Sequence, residues 1–245
     1  MAISVMKRIE VKYLLTSGQA ETFRRRLAEH MLPDEYGLTT IASLYYDTPD
    51  RRLIRASMEK PAFKEKLRLR SYGPATDGSP VFLELKRKAE GIVYKRRVQT
   101  TVPQAEAFLS GSGSLCADGQ IKNEIGYFRD FYGTLVPSCL ILYDRTAYAE
   151  PGSDLRLTID ERPRYRMDDL TLKGSADGLP LLPEGMSILE IKVQDAMPLW
   201  LARALSECGA VKTSFSKYGE AVRLETLKAA ERIIRFTGSR KPGAA

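Results

Sequence analysis

Along most of this chain polar and apolar residues alternate with period two, the pattern of strands whose two faces differ in polarity. Strands are expected over Val5 to Leu15, where Ile9, Val11 and Tyr13 alternate with Arg8, Glu10 and Lys12, and over Thr39 to Asp47. Three more fill Lys64 to Arg97 as KEKLRLRSY, VFLELKRK and IVYKRRVQT, separated by turn residues at Gly73-Pro74, Asp77-Gly78 and Gly91 that favour an antiparallel meander. Pro137 to Tyr148, Leu155 to Asp160, Arg164 to Asp169 and Ser187 to Val193 complete the set. Helical spacing appears elsewhere. Thr16, with Gln19 three residues on, reads as a capping box for a helix to about His30. Further helices are expected from Pro103 to Gly111, Gly119 to Tyr132, Pro198 to Gly209 and Glu220 to Phe236, with one or two turns between Arg51 and Glu59. Residues 174–185 read as a loop and 211–218 as extended or irregular. The pattern predicts one α+β domain over residues 1–238, with about eight antiparallel strands, and a disordered tail over 239–245.

The polar parity of these strands is charged. It holds Glu10 and Lys12; Lys66, Arg68 and Arg70; Glu84, Lys86 and Lys88; Lys95 and Arg97; Arg145, Arg156 and Asp160; and Glu190 and Lys192. A sheet with one face in water also alternates, but such a face mixes Ser, Thr, Gln and both signs of charge. Cations crowded on adjacent strands repel one another unless an anion sits among them. A closed barrel with the charged parity inside and amphipathic helices outside would use them best, and it stands slightly ahead of the solvated face. Arg and Lys in such a lumen suit phosphate oxygens. Carboxylates such as Glu190 and Glu84 would then hold a divalent cation bridging to the phosphates.

Composition adds bounds. The 38 Lys and Arg against 31 Asp and Glu give a net charge of +7, which permits a polyanionic partner. Three widely spaced cysteines, Cys116, Cys139 and Cys208, form no metal motif and read as reduced thiols of a cytoplasmic protein. No apolar run is long enough to span a bilayer, although a membrane-associated partner is compatible with the chain. There is no phosphate-cradling GxxxxGK[ST] loop, and the single histidine, His30, leaves no base for a catalytic triad. Nucleic-acid binding is the main competitor, but the tyrosines do not alternate with the cations as a stacking platform would need; Tyr72, Tyr94 and Tyr143 alone lie near them.

The order of motifs resembles the VTC-type polyphosphate polymerase domain, a branch of the triphosphate tunnel metalloenzymes that include the CYTH phosphatases. The matching pieces are RIEVKYLL (8–15), SLYYDT (43–48), KLRLRSY (66–72), FLELKRK (82–88), YKRR (94–97), YDRTAY (143–148), LRLTID (155–160), ILEIK (188–192) and FSKY (215–218). The resemblance implies a closed eight-stranded antiparallel β-barrel, the triphosphate tunnel, with helices packed outside. It implies transfer of the γ-phosphoryl of ATP or another nucleoside triphosphate onto inorganic polyphosphate, with Mn2+ or Mg2+. Mapped residue by residue, Lys12, Arg68, Arg70, Lys86, Lys95, Arg145 and Lys217 would act on the phosphates, with Lys66, Lys88, Arg97, Arg156, Lys192 and Tyr143 as further substrate contacts. Glu190 would be the metal ligand and Glu10 a second one. Two departures stand out. Glu10-Val11-Lys12 is one glutamate short of the CYTH double-glutamate ExExK, and Ser214 stands where the family often has a lysine before FSKY. The alternatives are a metal-dependent triphosphatase or polyphosphatase on the same scaffold, and a non-catalytic polyphosphate- or RNA-binding module.

Overall fold

The structure, a computed structural model, describes residues 9–59, 61–90, 92–115, 119–149, 152–194 and 196–238. Its strands are β1 (Ile9–Leu15), β2 (Leu32–Pro33), β3 (Thr39–Asp47), β4 (Phe63–Tyr72), β5 (Val81–Ala89), β6 (Ile92–Thr100), β7 (Val136–Ala149), β8 (Arg156–Arg166), β9 (Leu179–Pro180), β10 (Ser187–Val193) and β11 (Val211–Thr213). The helices are α1 (Ser17–Leu27), α2 (Arg52–Met58), α3 (Val102–Leu109), α4 (Gln120–Tyr132), α5 (Leu199–Glu207) and α6 (Lys217–Gly238). All strands join one antiparallel sheet in the order β11-β1-β10-β8-β7-β3-β4-β5-β6, with β2 added to β7 and β9 to β8.

The sheet is open, which corrects the closed eight-stranded barrel. Its ends are β6 and β11, and no backbone pairing joins them among the described residues. The reason lies in β11, which pairs with β1 only over Lys12 to Leu14 before the chain turns into α6. Side chains bridge where backbone does not. Lys86 of β5 reaches Glu10 of β1 at 3.5 Å, and Lys66 of β4 donates to Ser216, just before α6, at 3.0 Å.

The apolar parity faces away from this charged interior, as the alternation predicts. Leu67, Leu69, Leu83 and Leu85 are fully buried in a core completed by Val102, Ala105 and Phe108 of α3 and Ile125 and Phe128 of α4. Each such side chain contributes roughly 1.5–3 kcal/mol by leaving water. A second core joins Val11, Leu157, Leu189 and Ile191 to Phe23 of α1 and Leu201 of α5. A third lies on the opposite face of β3 and β7, where Tyr45, Cys139, Ile141 and Tyr143 meet Ile54 of α2 and Tyr218, Ala221 and Val222 of α6. The start of α6 therefore packs against the sheet face that carries the charges.

The local expectation holds closely at the start of α1, whereas α6 begins at Lys217, three residues before the expected Glu220 and inside the stretch expected to be extended. Thr16 accepts from the Gln19 amide at 3.3 Å while the Gln19 side chain accepts from the Thr16 amide at 3.0 Å. Gln19 also donates to the Gly209 carbonyl at 2.9 Å, tying α1 to the end of α5. Gly133, at φ 69°, ends α4. Some expectations change. Leu155 to Asp160 and Arg164 to Asp169 belong to one strand, β8, because a register shift opposite Leu142 and Asp144 and a positive φ of 45° at Arg162 absorb the irregularity. The loop over 174–185 contains β9, two residues paired to β8. On α6 the apolar stripe is buried only near its start: Val222 is buried, whereas Leu227, Ile233 and Ile234 are exposed. Val5 to Arg8, the Gly91 turn, Cys116 and the 239–245 tail lie outside the described residues. Among the described residues no helix is long and apolar enough to cross a membrane.

Candidate active site

Period-two alternation puts Lys66, Arg68 and Arg70 of β4 beside Glu84 and Lys86 of β5, and these beside Lys95 and Arg97 of β6. The register sets Arg68 opposite Glu84, Glu84 opposite Arg97, and Lys86 between Lys66 and Lys95. At the centre, the Glu84 carboxylate is almost completely buried. Arg68 approaches one of its oxygens through Nε and NH2, each at 2.8 Å. Lys95 approaches the other at 2.6 Å and Arg97 at 3.5 Å. The remaining Arg68 nitrogen donates to the Tyr45 hydroxyl at 3.1 Å, and Arg70 donates to Ser43 at 3.2 Å and to the Tyr143 hydroxyl at 3.0 Å.

The opposite wall comes from β1, β10, β8 and the start of α6. Lys12 lies 3.3 Å from Glu10 and 3.6 Å from Glu190, and Lys192 is ion-paired with Glu190. Asp160, fully buried, accepts from Arg145 at 2.6 and 2.8 Å and from Lys217 at 2.5 Å. The Lys217 ammonium sits 4.3 Å from the Tyr143 ring centre, and Arg145 stacks on the same ring at 5.0 Å. Tyr218, next in α6, stacks on Tyr45 at 4.5 Å and donates to Asp47 at 3.0 Å. Asp47 also accepts from the Leu53 and Ile54 amides at 2.9 and 3.0 Å, capping α2. One buried carboxylate thus fixes both helices that pack on this face.

Charge states follow from these surroundings. Burial raises the Glu190 carboxyl, but Lys192, Lys12 and Arg145 outweigh it and hold the group well below the usual carboxylate range. Burial and the charge of Glu190 raise Glu10, and Lys86, Lys12 and Lys192 more than reverse this. Glu84 is held at about 2, its burial outweighed by Arg68, Arg70 and Lys95. Lys66 differs from its neighbours. Burial, reinforced by Lys64, Lys86, Lys12 and Arg68, pushes its ammonium down to about 7. The Tyr45 and Tyr143 phenols resist the upward pull of burial, because Arg68 and Arg70 respectively lead the cations that lower them.

The fold thus brings together Lys12, Lys66, Arg68, Arg70, Lys86, Lys95, Arg97, Arg145, Lys217, Lys192, Tyr143, Glu10 and Glu190. Lys88 and Arg156 lie exposed toward the strand ends, opposite Lys64 and Lys192 respectively. Both Glu84 oxygens face cations, Arg68 on one and Lys95 and Arg97 on the other. Sequence reasoning missed Tyr45, Ser43 and Ser216. The hydroxyl-bearing parity of β3, Ser43-Leu44-Tyr45, was the available signal for the first two.

Among the described residues no group of three or more His, Cys, Asp or Glu side chains is arranged to hold a metal. Glu10 and Glu190 are two hard oxygen donors near enough to feel each other's charge, and both border the cationic face. That set fits Mn2+ or Mg2+, which commonly takes one or two carboxylates and completes its shell with water and phosphate oxygens.

A family model, the VTC domain, matches residues 7–225. Among solved structures, a candidate adenylate cyclase of Bacillus halodurans shares 15% identity at a TM-score of 0.50, over 85% of this chain and 93% of that one. A candidate adenylate cyclase of Vibrio parahaemolyticus gives 11% identity and a TM-score of 0.47 over 88% and 97%. A candidate adenylyl cyclase of Hippeastrum, described as having a dominant triphosphatase activity, gives 19% and 0.48 over 96% and 98%. None of the curated proteins compared with the chain matches it. The Bacillus likeness bears on the fold alone.

Proposed function

We propose that this chain, which belongs to the VTC domain family, is a metal-dependent phosphotransferase that moves the γ-phosphoryl group of a nucleoside triphosphate, ATP included, onto inorganic polyphosphate. The observation that carries this reading is the apposition of two walls. Arg68, Lys86 and Lys95 face Lys12, Glu10 and Glu190, and the Lys86 to Glu10 contact of 3.5 Å spans the gap. One wall offers cations for phosphate oxygens. The other adds two carboxylates for Mn2+ or Mg2+.

The chemistry asks little more of the protein. The terminal phosphate oxygen of the acceptor is already ionised, so it attacks the γ-phosphorus without a general base. The bond to the β-phosphate oxygen breaks, and its electron pair leaves with the nucleoside diphosphate. Charge spreads over the transferring oxygens in a loose transition state, so positioning and cationic clamps supply most of the catalysis. Arg68 and Lys95 clamp from one side while Lys12 and Lys86 clamp near Glu10. Arg145 and Lys217, held by Asp160, provide further phosphate contacts. Glu190 and Glu10 would hold the divalent cation, which would supply charge neutralisation to the phosphate oxygens. The single histidine is remote from all this: His30 stacks on Trp200 at 4.2 Å, at the end of α1.

The test is incubation of the purified chain with ATP and Mn2+, with products resolved by gel electrophoresis and by a free-phosphate assay. Long polyphosphate supports the proposal. Orthophosphate alone would make the chain a hydrolase on the same scaffold, and tight polyphosphate binding without either product would make it a binding module.

A further inference from the structure

A carboxylate in a phosphate-binding wall needs a reason, since it repels the ligand its neighbours attract. Among the described residues Glu84 belongs to no group of three or more His, Cys, Asp or Glu side chains arranged to hold a metal. Glu10 and Glu190, the candidate metal ligands, are instead paired with Lys12, Lys86 and Lys192. What Glu84 does touch is the set of groups proposed to hold phosphate. One of its oxygens takes Nε and NH2 of Arg68, and the other is ion-paired with Lys95 at 2.6 Å and Arg97 at 3.5 Å. The Glu84 side chain is only 1% exposed, whereas Arg68 is 21% and Lys95 44% exposed, so the cations lie between the acid and solvent. An arginine has five N–H donors in a rigid fork. With Nε and NH2 on Glu84 and NH1 on Tyr45, Arg68 keeps its outer N–H groups for a ligand while its plane is fixed from behind.

We propose that Glu84 is a positioning residue for phosphoryl transfer, a buried counter-charge that holds Arg68 and Lys95 in one fixed arrangement and keeps both cations charged. This assignment rests on the reading of the face as a phosphotransferase site. Without the carboxylate, Arg68, Arg70, Lys95 and Arg97 would stand together unbalanced, and Lys95 would shed its proton more readily. Burial already lowers its ammonium, even with Glu84 pulling the other way. Two simpler ideas give opposite outcomes. If Glu84 acted only through its charge, neutralising it would tighten anion binding. If it were a metal ligand, neutralising it would weaken metal binding.

Glu84→Gln separates these, with three measurements: turnover of ATP with Mn2+, binding of tripolyphosphate by calorimetry without metal, and Mn2+ binding by electron paramagnetic resonance. Positioning predicts a kcat about a hundredfold lower, the usual size of a lost preorganised charge contact. It also predicts weaker tripolyphosphate binding, with a loss that grows as pH rises because Lys95 sheds its proton more readily, and Mn2+ affinity unchanged. Tighter tripolyphosphate binding with undiminished kcat would overturn the proposal in favour of a pure charge effect, and lost Mn2+ binding would overturn it in favour of a ligand. Should Glu84→Gln fail to fold by circular dichroism, Tyr45→Phe removes only the other restraint on Arg68. It should lower kcat while leaving Mn2+ binding intact, and wild-type kcat there would overturn the idea. A wild-type chain that binds tripolyphosphate but turns over no ATP would refute the phosphotransferase reading, while the binding measurement still decides the role of Glu84. A chain that does neither refutes both.

Discussion

Lys66 offers a quantitative test of the charge arrangement, because its ammonium, pushed down to about 7, is near half-ionisation at neutral pH. Its ammonium donates to Ser216 at 3.0 Å, and Lys64, Lys86, Lys12 and Arg68 oppose its charge. With burial these bring it to about 7, against an ordinary 10.5. A polyanion on this face favours the charged form and lifts that value. Binding above pH 7 must therefore take up a proton at Lys66. With a free value of about 7, at most about 0.9 proton is taken up at pH 8, and affinity falls by up to about tenfold from pH 6 to 8, or about 1.4 kcal/mol. The assay is calorimetry with tripolyphosphate, metal-free, in buffers of different ionisation enthalpy, comparing wild type with Lys66→Met. The difference isolates Lys66 from protons carried by the ligand. Equal proton uptake by the two proteins, or parallel pH profiles, would refute the reasoning.

Glu190→Gln should lose Mn2+-dependent turnover by a hundredfold or more while keeping its circular dichroism, and unchanged kcat would remove Glu190 from the metal role. Asp160→Asn strips the buried partner from Arg145 and Lys217, so urea unfolding should show a loss of about 3–5 kcal/mol. Thr16→Ala breaks the capping box and should cost about 1 kcal/mol in the same measurement, with turnover retained. Acid unfolding should follow Glu84: its folded value of about 2 lies below the ordinary 4.5, so its stabilisation is present above pH 4.5 and is lost as pH falls toward 2. Glu84→Gln should accordingly flatten the stability profile between those two values.

Much of the fold was legible because alternation is a local property. Each of Leu67, Leu69, Leu83 and Leu85 is fully buried, and the intervening charges share the other face, because successive strand residues point opposite ways. The candidate site was legible to the same depth. Parity alone grouped Arg68, Lys86, Lys95, Lys12 and Glu190, and the order of motifs matched a family that the VTC domain match bears out. Boundaries failed where tertiary geometry intervened. The strand over 156–166 runs on through Arg162 at positive φ, which no sequence periodicity signals.

Sequence by itself determined which residues carry charge on one face and which apolar residues lie behind it, since both follow from strand parity. Only the tertiary structure decided that the sheet stays open, because closure depends on whether its two end strands pair, and β11 stops after three residues. It also decided which charges meet. Glu84 and Glu190 read alike along the chain. In space Glu84 is held by Arg68 and Lys95, and Glu190 is held by Lys192 and shares Lys12 with Glu10, because a carboxylate's role is set by what surrounds it.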